Sequence, residues 1–314
     1  MADEAPLPPE LGTPLAPFTG EKPPAPEWFD ATIAREPERS TVQVDGAAIE
    51  LLTWGEVGKP GLMFLHGNGA HADWWSFIAP FFADEWRVAA ISWSGMGGSD
   101  WREKYDGDQF VREAFAAAEA AGLYADGGKP VFVGHSFGSY PTMLAAAKGG
   151  DRLRAAVSVD SPIRPPSREW KGPPSRSGPN RIYATLTDAL ARFRLAPPQP
   201  CENLYIVDFI ARRSVREVEG GLTWKFDPNL WKHFSFNERP GRPKCPSAFM
   251  WGQNSALIDP EVLEYMHSLV APGTPMIELP QAHHHVMLDQ PLAFVSALRG
   301  LLAGWPRNAA QTRA

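Results

Sequence analysis

A serine flanked by glycines follows a short apolar run in this sequence. Residues 131–133 are Val-Phe-Val, residues 134–138 are Gly-His-Ser-Phe-Gly with Ser136 at the centre, and small residues at helical spacing follow over 141–148. A strand that turns sharply into a helix lifts such a serine clear of the sheet. The helix N-terminus then offers backbone N–H groups to a developing negative charge. The pattern predicts that Ser136 is a nucleophile.

A glycine-rich loop upstream could supply part of the site for that charge. Residues 61–65 are apolar and end in His66-Gly67-Asn68-Gly69. In serine hydrolases with a sharp strand-to-helix turn, one oxyanion donor is the N–H after the nucleophile and the other comes from such a loop. We therefore predict an oxyanion hole formed by the N–H groups of Phe137 and Asn68. The alternative is that Asn-Gly marks only a turn.

Three consecutive histidines near the C-terminus could provide a general base. Residues 283–285 are all histidine, after an apolar run at 276–279 and before a helical pattern at 291–302. A metal site is the alternative, but consecutive residues of an extended loop point in different directions and do not all reach one ion. No Cys or Asp/Glu cluster at ligand spacing accompanies them. We expect neither a metal nor another cofactor.

The order of loop, serine and histidine resembles the α/β-hydrolase superfamily over about residues 28 to 305. The motifs that carry the resemblance are His66-Gly67 after the third strand, 134–138 after the fifth and Asp289-Gln290-Pro291 at the start of the last helix. It implies an α/β fold: a mostly parallel sheet of eight strands with helices on both faces and an inserted helical cap. Counting back from Pro291, it also implies that His284 is the catalytic histidine.

The acid of the catalytic triad departs from the family's usual pattern. The resemblance implies an aspartate in the loop after the seventh strand, where this chain has Ser255 instead. The first candidate is Asp160, at the end of the sixth strand. A group of small bacterial esterases has its acid there, assisted by a serine after the seventh strand. By that resemblance Ser255 is a fourth member of the catalytic network. Asp259 is the second candidate, although Asp259-Pro260 is typical of a helix start. Asp160 could also be only a strand-end cap, and Ser255 a turn residue.

Short apolar strands alternate with helical segments up to residue 160, which indicates a parallel sheet covered on both faces. We predict an N-terminal Pro-rich arm or disordered tail over residues 1–27 and a core formed by 28–160 and 244–314. The cap is predicted over 161–243, with helical segments at 187–195 and 204–219 and a partly helical stretch at 224–234.

Composition restricts the partners of the protein. The 314 residues carry a net charge of −6 and no basic stripe, which argues against a nucleic-acid partner. The two cysteines, Cys201 and Cys245, are interpreted as free thiols of a reducing compartment. The N-terminus lacks the features of a signal peptide, and no apolar run is long enough for a membrane span. The expectation is a cytoplasmic protein that acts on a small molecule.

The residues together favour a serine hydrolase of carboxylic esters that works through an acyl-enzyme. The alternative substrates are lactones, thioesters and the carbon–carbon bonds that related hydrolases of aromatic degradation cleave. Those carbon–carbon hydrolases usually have Ser-Gly where this chain has His66-Gly67. Epoxide hydrolases and haloalkane dehalogenases of this fold use an aspartate nucleophile, which Ser136 argues against. A receptor with an intact triad and slow turnover is the alternative from another functional class.

Four tryptophans are candidates for the substrate pocket. Two follow the glycine-rich loop and two lie in the predicted cap, and large aromatic side chains commonly line such pockets. The alternative for each of them is packing within the core or between the core and the cap. These residues are Trp74, Trp75, Trp224 and Trp231.

Overall fold

The computed structural model describes residues 7–168, 178–236 and 238–305. Its central element is a sheet of eight strands. The strands are β1 (Glu38–Val44), β2 (Ala47–Trp54), β3 (Gly61–Leu65), β4 (Arg87–Ile91), β5 (Val131–His135), β6 (Ala155–Val159), β7 (Ser247–Gly252) and β8 (Met276–Leu279).

The strand order in this sheet is β1-β2-β4-β3-β5-β6-β7-β8. Strand β2 is antiparallel to both of its neighbours, β1 and β4, and all the other pairs are parallel. The prediction of a mostly parallel eight-stranded α/β sheet is confirmed. Because the carboxyl ends of the parallel strands share one edge, the loops that follow β3, β5, β6, β7 and β8 meet there.

Both faces of the sheet are covered at its centre, which explains why β3, β4, β5 and β6 are buried along their whole length. In β5 the side chains of Val131 and Val133 belong to one hydrophobic core and that of Phe132 to the other. The α-helices are α1 (Pro9–Gly12), α2 (Glu27–Ile33), α3 (Gly107–Ala120), α4 (Ser139–Gly149), α5 (Leu186–Leu190), α6 (Leu204–Arg213), α7 (Pro260–Leu269), α8 (Val286–Asp289) and α9 (Pro291–Gly304).

Shorter elements complete the described residues. Two-residue strands at Tyr105–Asp106 and Phe234–Ser235 pair in parallel. Turns of 3₁₀-helix lie at Ala16–Phe18, Ala72–Trp75, Ala79–Phe81, Ala125–Gly127, Ser136–Gly138, Gly150–Arg152 and Leu230–Lys232. None of the helices in the described part of the chain has the length and apolarity that a membrane crossing would need.

The insertion between β6 and β7 is less helical than the sequence indicates. The helix predicted over 204–219 ends at Arg213, and Val215–Val218 then pairs antiparallel with Gly221–Trp224. Two glycines with positive φ, Gly220 at 86° and Gly221 at 142°, form the turn between these strands. The prediction was wrong there because a double glycine ends a helix and permits a hairpin, whatever the spacing of the apolar residues. Residues 169–177 and 237 of the predicted cap lie outside the described residues.

The N-terminal segment packs against the rest of the protein over the part that is described, residues 7–27. Leu15 is buried in one of the two cores, and Phe18 packs against the same core. The carbonyl of Gly20 accepts a hydrogen bond of 2.6 Å from Arg212 of α6. The segment is therefore an arm laid over the core and the insertion. Residues 1–6 of the predicted arm, and 306–314 of the predicted core, lie outside the described residues.

Candidate active site

The turn after β5 holds Ser136 in the left-handed region of the backbone map, with φ at 52°. A Cβ atom at Gly134 would lie 2.4 Å from the Gly138 carbonyl oxygen, and one at Gly138 would lie 2.5 Å from the carbonyl oxygens of Leu65 and His66. Only glycine fits at both positions, because the chain must turn directly from strand to helix. The turn leaves the Ser136 side chain half-buried at the carboxyl edge of the sheet.

A chain of hydrogen bonds joins Ser136, His284 and Asp160. His284 Nε2 lies 2.9 Å from Ser136 Oγ, and His284 Nδ1 lies 2.8 Å from Asp160 Oδ1. The Asp160 carboxylate accepts hydrogen bonds only, so it fixes the imidazole tautomer with the proton on Nδ1. Nε2 then presents a lone pair to the serine hydroxyl. His284 is 1% exposed and Asp160 is fully buried, so the hydrogen bond between them is shielded from water.

The register of β5 and β6 explains how Asp160 comes close to Ser136. His135 of β5 is the register partner of Val159 of β6, so the next residue on each strand leaves the sheet at the same level. Asp160 also has a positive φ, 46°, which turns the chain out of β6 immediately. Its other oxygen, Oδ2, accepts a hydrogen bond of 2.8 Å from the N–H of Gly252 at the end of β7.

Ser255 lies beside this carboxylate, and Asp259 does not. Ser255 Oγ donates to Asp160 Oδ1 at 2.7 Å. Asp259 instead caps α7 by accepting from the N–H of Val262 at 3.0 Å and forms an ion pair with Arg168 on the protein surface. The cap and the arginine both hold the pKa of Asp259 below its usual range. The structure thus brings together Asp160, Ser255 and His284 and leaves Asp259 at a helix start.

The glycine-rich loop after β3 passes directly next to the serine. A Cβ atom at Gly67 would lie 3.0 Å from the Ser136 Cβ, so the two backbones are in contact. The loop is anchored by the buried His66, whose Nδ1–H donates to the Gly67 carbonyl at 2.7 Å while its Nε2 accepts from the N–H of Trp93 at 3.0 Å. Burial lowers the pKa of His66 to about 3, so it is neutral as these contacts require. Among the described residues no acceptor is bonded to the backbone N–H of Asn68.

One tryptophan of the insertion contacts both predicted oxyanion residues. Trp231 Nε1–H donates to the side-chain oxygen of Asn68 at 3.0 Å. Its ring meets the Phe137 ring edge to face, with centroids 4.9 Å apart. Trp231 therefore packs against the side chains of the two residues whose backbone N–H groups are the predicted oxyanion donors. Sequence patterns gave no sign of this hydrogen bond, since its two partners are 163 residues apart.

The other three tryptophans pack among apolar side chains. Trp75 is fully buried and stacks on Phe64 with centroids 4.7 Å apart, so it belongs to the core. Trp224 packs against Tyr183 and Phe193 inside the insertion. Trp74 is also buried, and its ring lies 5.3 Å from that of His285. The pocket role predicted for Trp75 is not compatible with this packing, because its side chain has no exposed surface.

The histidines around His284 form a buried group. The side chains of His135, His284 and His285 each offer a nitrogen within 4.8 Å of the others, which makes them a geometric candidate for a metal site among the described residues. However, both nitrogens of His284 are engaged by Asp160 and Ser136. His135 Nε2–H donates to the His284 carbonyl at 3.0 Å. A metal bound here would have to displace the contacts of the serine or the aspartate.

Buried neutral histidines make the stability of the fold sensitive to acid. Burial lowers the pKa of His66 to about 3 and of His71 to about 4, and holds the pKa values of His135 and His285 well below the usual range. The unfolded chain takes up these protons below about pH 6.5, whereas the folded chain does not. The free energy of unfolding therefore falls as the pH decreases from about 6.5 towards 4, by about 1.4 kcal/mol per pH unit for each such histidine.

Urea unfolding at pH 7, 6 and 5 checks this expectation. The raised pKa values of two buried carboxyls, Glu113 and Asp289, oppose part of the loss, so the net slope should be smaller than that of the histidines alone but should keep the same sign. The variant His285→Leu should lower the slope by about 1.4 kcal/mol per pH unit. The matched variant of an exposed histidine, His267→Gln, should leave it unchanged. Equal stability at pH 7 and pH 5 would contradict the assignment of these histidines as neutral.

Neither cysteine has the surroundings of a nucleophile. Burial raises the pKa of Cys201 to about 12 and of Cys245 to about 11, so both thiols keep their protons at neutral pH. Both are free thiols.

Comparisons with known proteins agree with this architecture. The sequence profile of the alpha/beta hydrolase family matches residues 62–298. The chain is 29% identical to epoxide hydrolase A of Mycobacterium tuberculosis over 155 residues, which cover 47% of this chain and 46% of that protein. The chain thus spans less than half the length of that relative. It is 24% identical to esterase Rv0045c of the same organism over 276 residues, which cover 83% of this chain and 88% of the esterase.

A solved structure shows the same fold. The thioesterase domain from the curacin biosynthetic pathway superposes with a TM-score of 0.70 at 20% identity, covering 84% of this chain and 99% of that domain. The family profile spans about three quarters of the chain, including the serine turn and the histidine loop. The chain belongs to the alpha/beta hydrolase family.

Proposed function

We propose that the protein is a serine hydrolase that cleaves carboxylic esters through an acyl-enzyme. The single observation that supports this most strongly is the continuous hydrogen-bond chain Ser136–His284–Asp160, at 2.9 and 2.8 Å. Its geometry matches a nucleophile, a base and an orienting acid. The proposed catalytic residues are thus Ser136, His284 and Asp160, with Ser255 holding the aspartate.

The reaction proposed for this site has two halves. Ser136 Oγ attacks the ester carbonyl carbon while His284 Nε2 takes the hydroxyl proton, and the backbone N–H groups of Phe137 and Asn68 stabilise the oxyanion. The protonated His284 then gives this proton to the leaving alcohol. Water attacks the acyl-enzyme with His284 again as base, which releases the acid and restores Ser136.

The residues at the turn and loop favour ester cleavage over the other reactions of the fold. The relative named as an epoxide hydrolase aligns with only 47% of this chain. Epoxide hydrolases of this fold use an aspartate nucleophile at the position where this chain has Ser136. His66-Gly67 in place of Ser-Gly favours esters over the carbon–carbon substrates. We propose that residues 161–243 cap a core formed by 28–160 and 244–314, and that Trp231 of this cap borders the pocket.

Turnover of p-nitrophenyl butyrate by the purified protein tests the proposal. We expect release of p-nitrophenol far beyond one equivalent per protein, and covalent labelling of Ser136 by a fluorophosphonate. Release that stops after one equivalent would support a slow-turnover receptor instead. A panel that adds a lactone, a thioester and a vinylogous diketone separates the remaining substrate classes, because a different bond to the carbonyl carbon is cleaved in each.

A further inference from the structure

The loop that carries His284 is held on both sides by two side chains. The N–H of His283 donates to Asp289 Oδ2 at 2.7 Å, and the N–H of His285 donates to Gln199 Oε1 at 2.8 Å. Gln199 Nε2 in turn donates to both carboxylate oxygens of Asp289, each at 3.0 Å. One amide–carboxylate pair therefore fixes the backbone immediately before and immediately after His284.

The two members of this pair come from different parts of the chain. Asp289 ends α8, directly after the histidine loop, whereas Gln199 lies in the insertion between α5 and α6. Gln199 is 6% exposed, and burial raises the pKa of Asp289. The other polar neighbours of the carboxylate are His283 Nδ1, at 3.1 Å, and the thiol of Cys201. In such buried surroundings water does not readily replace a lost hydrogen-bond partner.

We propose that Gln199 is a positioning residue: it fixes the orientation of His284 through the His285 N–H and the Asp289 carboxylate. This inference rests on the proposed function, because it assigns Gln199 to the reaction of the same site. Among the described residues no hydrogen bond joins Gln199 to Ser136, and in this proposal its effect reaches the serine through the backbone of residues 283–285. The insertion thereby contributes, through Gln199, to holding the proposed base His284 in position.

Small displacements of the base have large effects on rate. His284 Nε2 must stay within hydrogen-bond distance of Ser136 Oγ, now 2.9 Å, and a misplacement of about 1 Å costs about 100-fold in rate. In this proposal Gln199 acts on the position of the base and not on substrate binding. The loss of Gln199 should therefore appear in kcat and leave KM nearly unchanged.

The variant Gln199→Met tests this directly, since it keeps the length of the side chain and removes both its donor and its acceptor. With p-nitrophenyl butyrate we expect kcat to fall about 10-fold to 100-fold with KM within about twofold. We also expect the low-field ¹H NMR resonance of the His284 Nδ1 proton, which is bonded to Asp160, to shift or broaden. The NMR measurement needs no substrate, so it tests the positioning even if the wild-type protein does not hydrolyse esters.

The variant Gln199→Glu adds a signature in pH. A glutamate here faces the carboxylate of Asp289, and two adjacent carboxyls share one proton. The shared proton restores the pair at low pH, so the ratio of kcat for Gln199→Glu to kcat for wild type should fall as the pH rises. His283 and Cys201 face the carboxylate of Asp289 in both proteins. Dividing the kcat of Gln199→Glu by that of wild type therefore cancels the effect of their own titration. The Gln199→Glu protein also serves as the test if Gln199→Met fails to fold.

Asn203→Ala is the matched control. Asn203 lies four residues further along the same segment and donates to the carbonyls of Leu288 and Asp289, at 2.7 and 3.1 Å, without touching residues 283–285. We expect it to cost stability but to change kcat by less than about threefold. A folded Gln199→Met protein with wild-type kcat and an unchanged His284 resonance would overturn the proposal. Absence of turnover and of Ser136 labelling in the wild type would count against the proposed function alone.

Discussion

Replacement of Ser136 by alanine should lower kcat with p-nitrophenyl butyrate by about 10⁶-fold, since loss of the nucleophile removes the acyl-enzyme route altogether. The remaining rate comes from substrate binding and the oxyanion donors alone. Within the part of the chain that the structure describes, Ser136 Oγ has one hydrogen bond, to His284, so the thermal midpoint should change little. Steady-state kinetics and differential scanning calorimetry on the same preparation measure both quantities.

Ser139→Ala is the control for this variant. Ser139 lies three residues further along, is buried, and donates to the Gly134 carbonyl at 2.6 Å without contacting His284. It should lose stability by about 1 kcal/mol and keep kcat within a few-fold of wild type. Ser136→Ala protein that retains more than one hundredth of the wild-type kcat would exclude Ser136 as the nucleophile.

Asp160→Asn should lower kcat by about 10⁴-fold, as in the protease case where the same isosteric change was made. The amide N–H₂ of asparagine would donate to His284 Nδ1 and so stabilise the tautomer with its proton on Nε2. That nitrogen then has no lone pair with which to take the proton of Ser136. Ser255→Ala removes one hydrogen bond to the same carboxylate, at 2.7 Å, and should cause a smaller loss of kcat.

Asp259→Asn separates the two candidate acids. It keeps an oxygen that can cap α7 and removes the exposed ion pair with Arg168, so it should cost little stability and leave kcat unchanged. Measurement of kcat and of urea unfolding for both aspartate variants checks the assignment. Near-normal turnover of Asp160→Asn together with collapse of activity in Asp259→Asn would reverse it.

The parts of the molecule that the sequence predicts well are those whose determinants lie close together in the chain. The serine turn is one example, because the residues that determine its shape, Gly134, Ser136 and Gly138, lie within five positions of the sequence. The sheet is another, because continuous apolar strands between helical segments indicate parallel pairing. Asp160 could be selected as a candidate because it stands at the end of the sixth strand, where the resemblance to small bacterial esterases implied an acid. Its distance of 2.8 Å from His284 required the structure.

Contacts between distant segments could not be predicted from the sequence. Gln199 and His285 are 86 residues apart, and a lone glutamine in a Pro-rich stretch carries no pattern that indicates its partner. The hairpin after α6 was missed because its apolar and charged residues also fit a helix, and only the double glycine at 220–221 argued otherwise. The location of Trp75 could not be predicted, because large aromatic side chains are common both in hydrophobic cores and in substrate pockets.

The backbone at two of the proposed catalytic positions implies a trade-off between stability and activity. Ser136 and Asp160 have φ values of 52° and 46°, a region that costs a residue with a side chain about 1 to 2 kcal/mol and costs glycine almost nothing. Selection for stability alone would thus favour glycine at both strand ends. Glycine, however, would lack the Oγ of Ser136 and the carboxylate of Asp160 that the proposed reaction uses. Efforts to make the protein more heat-resistant should begin at sites remote from these two turns.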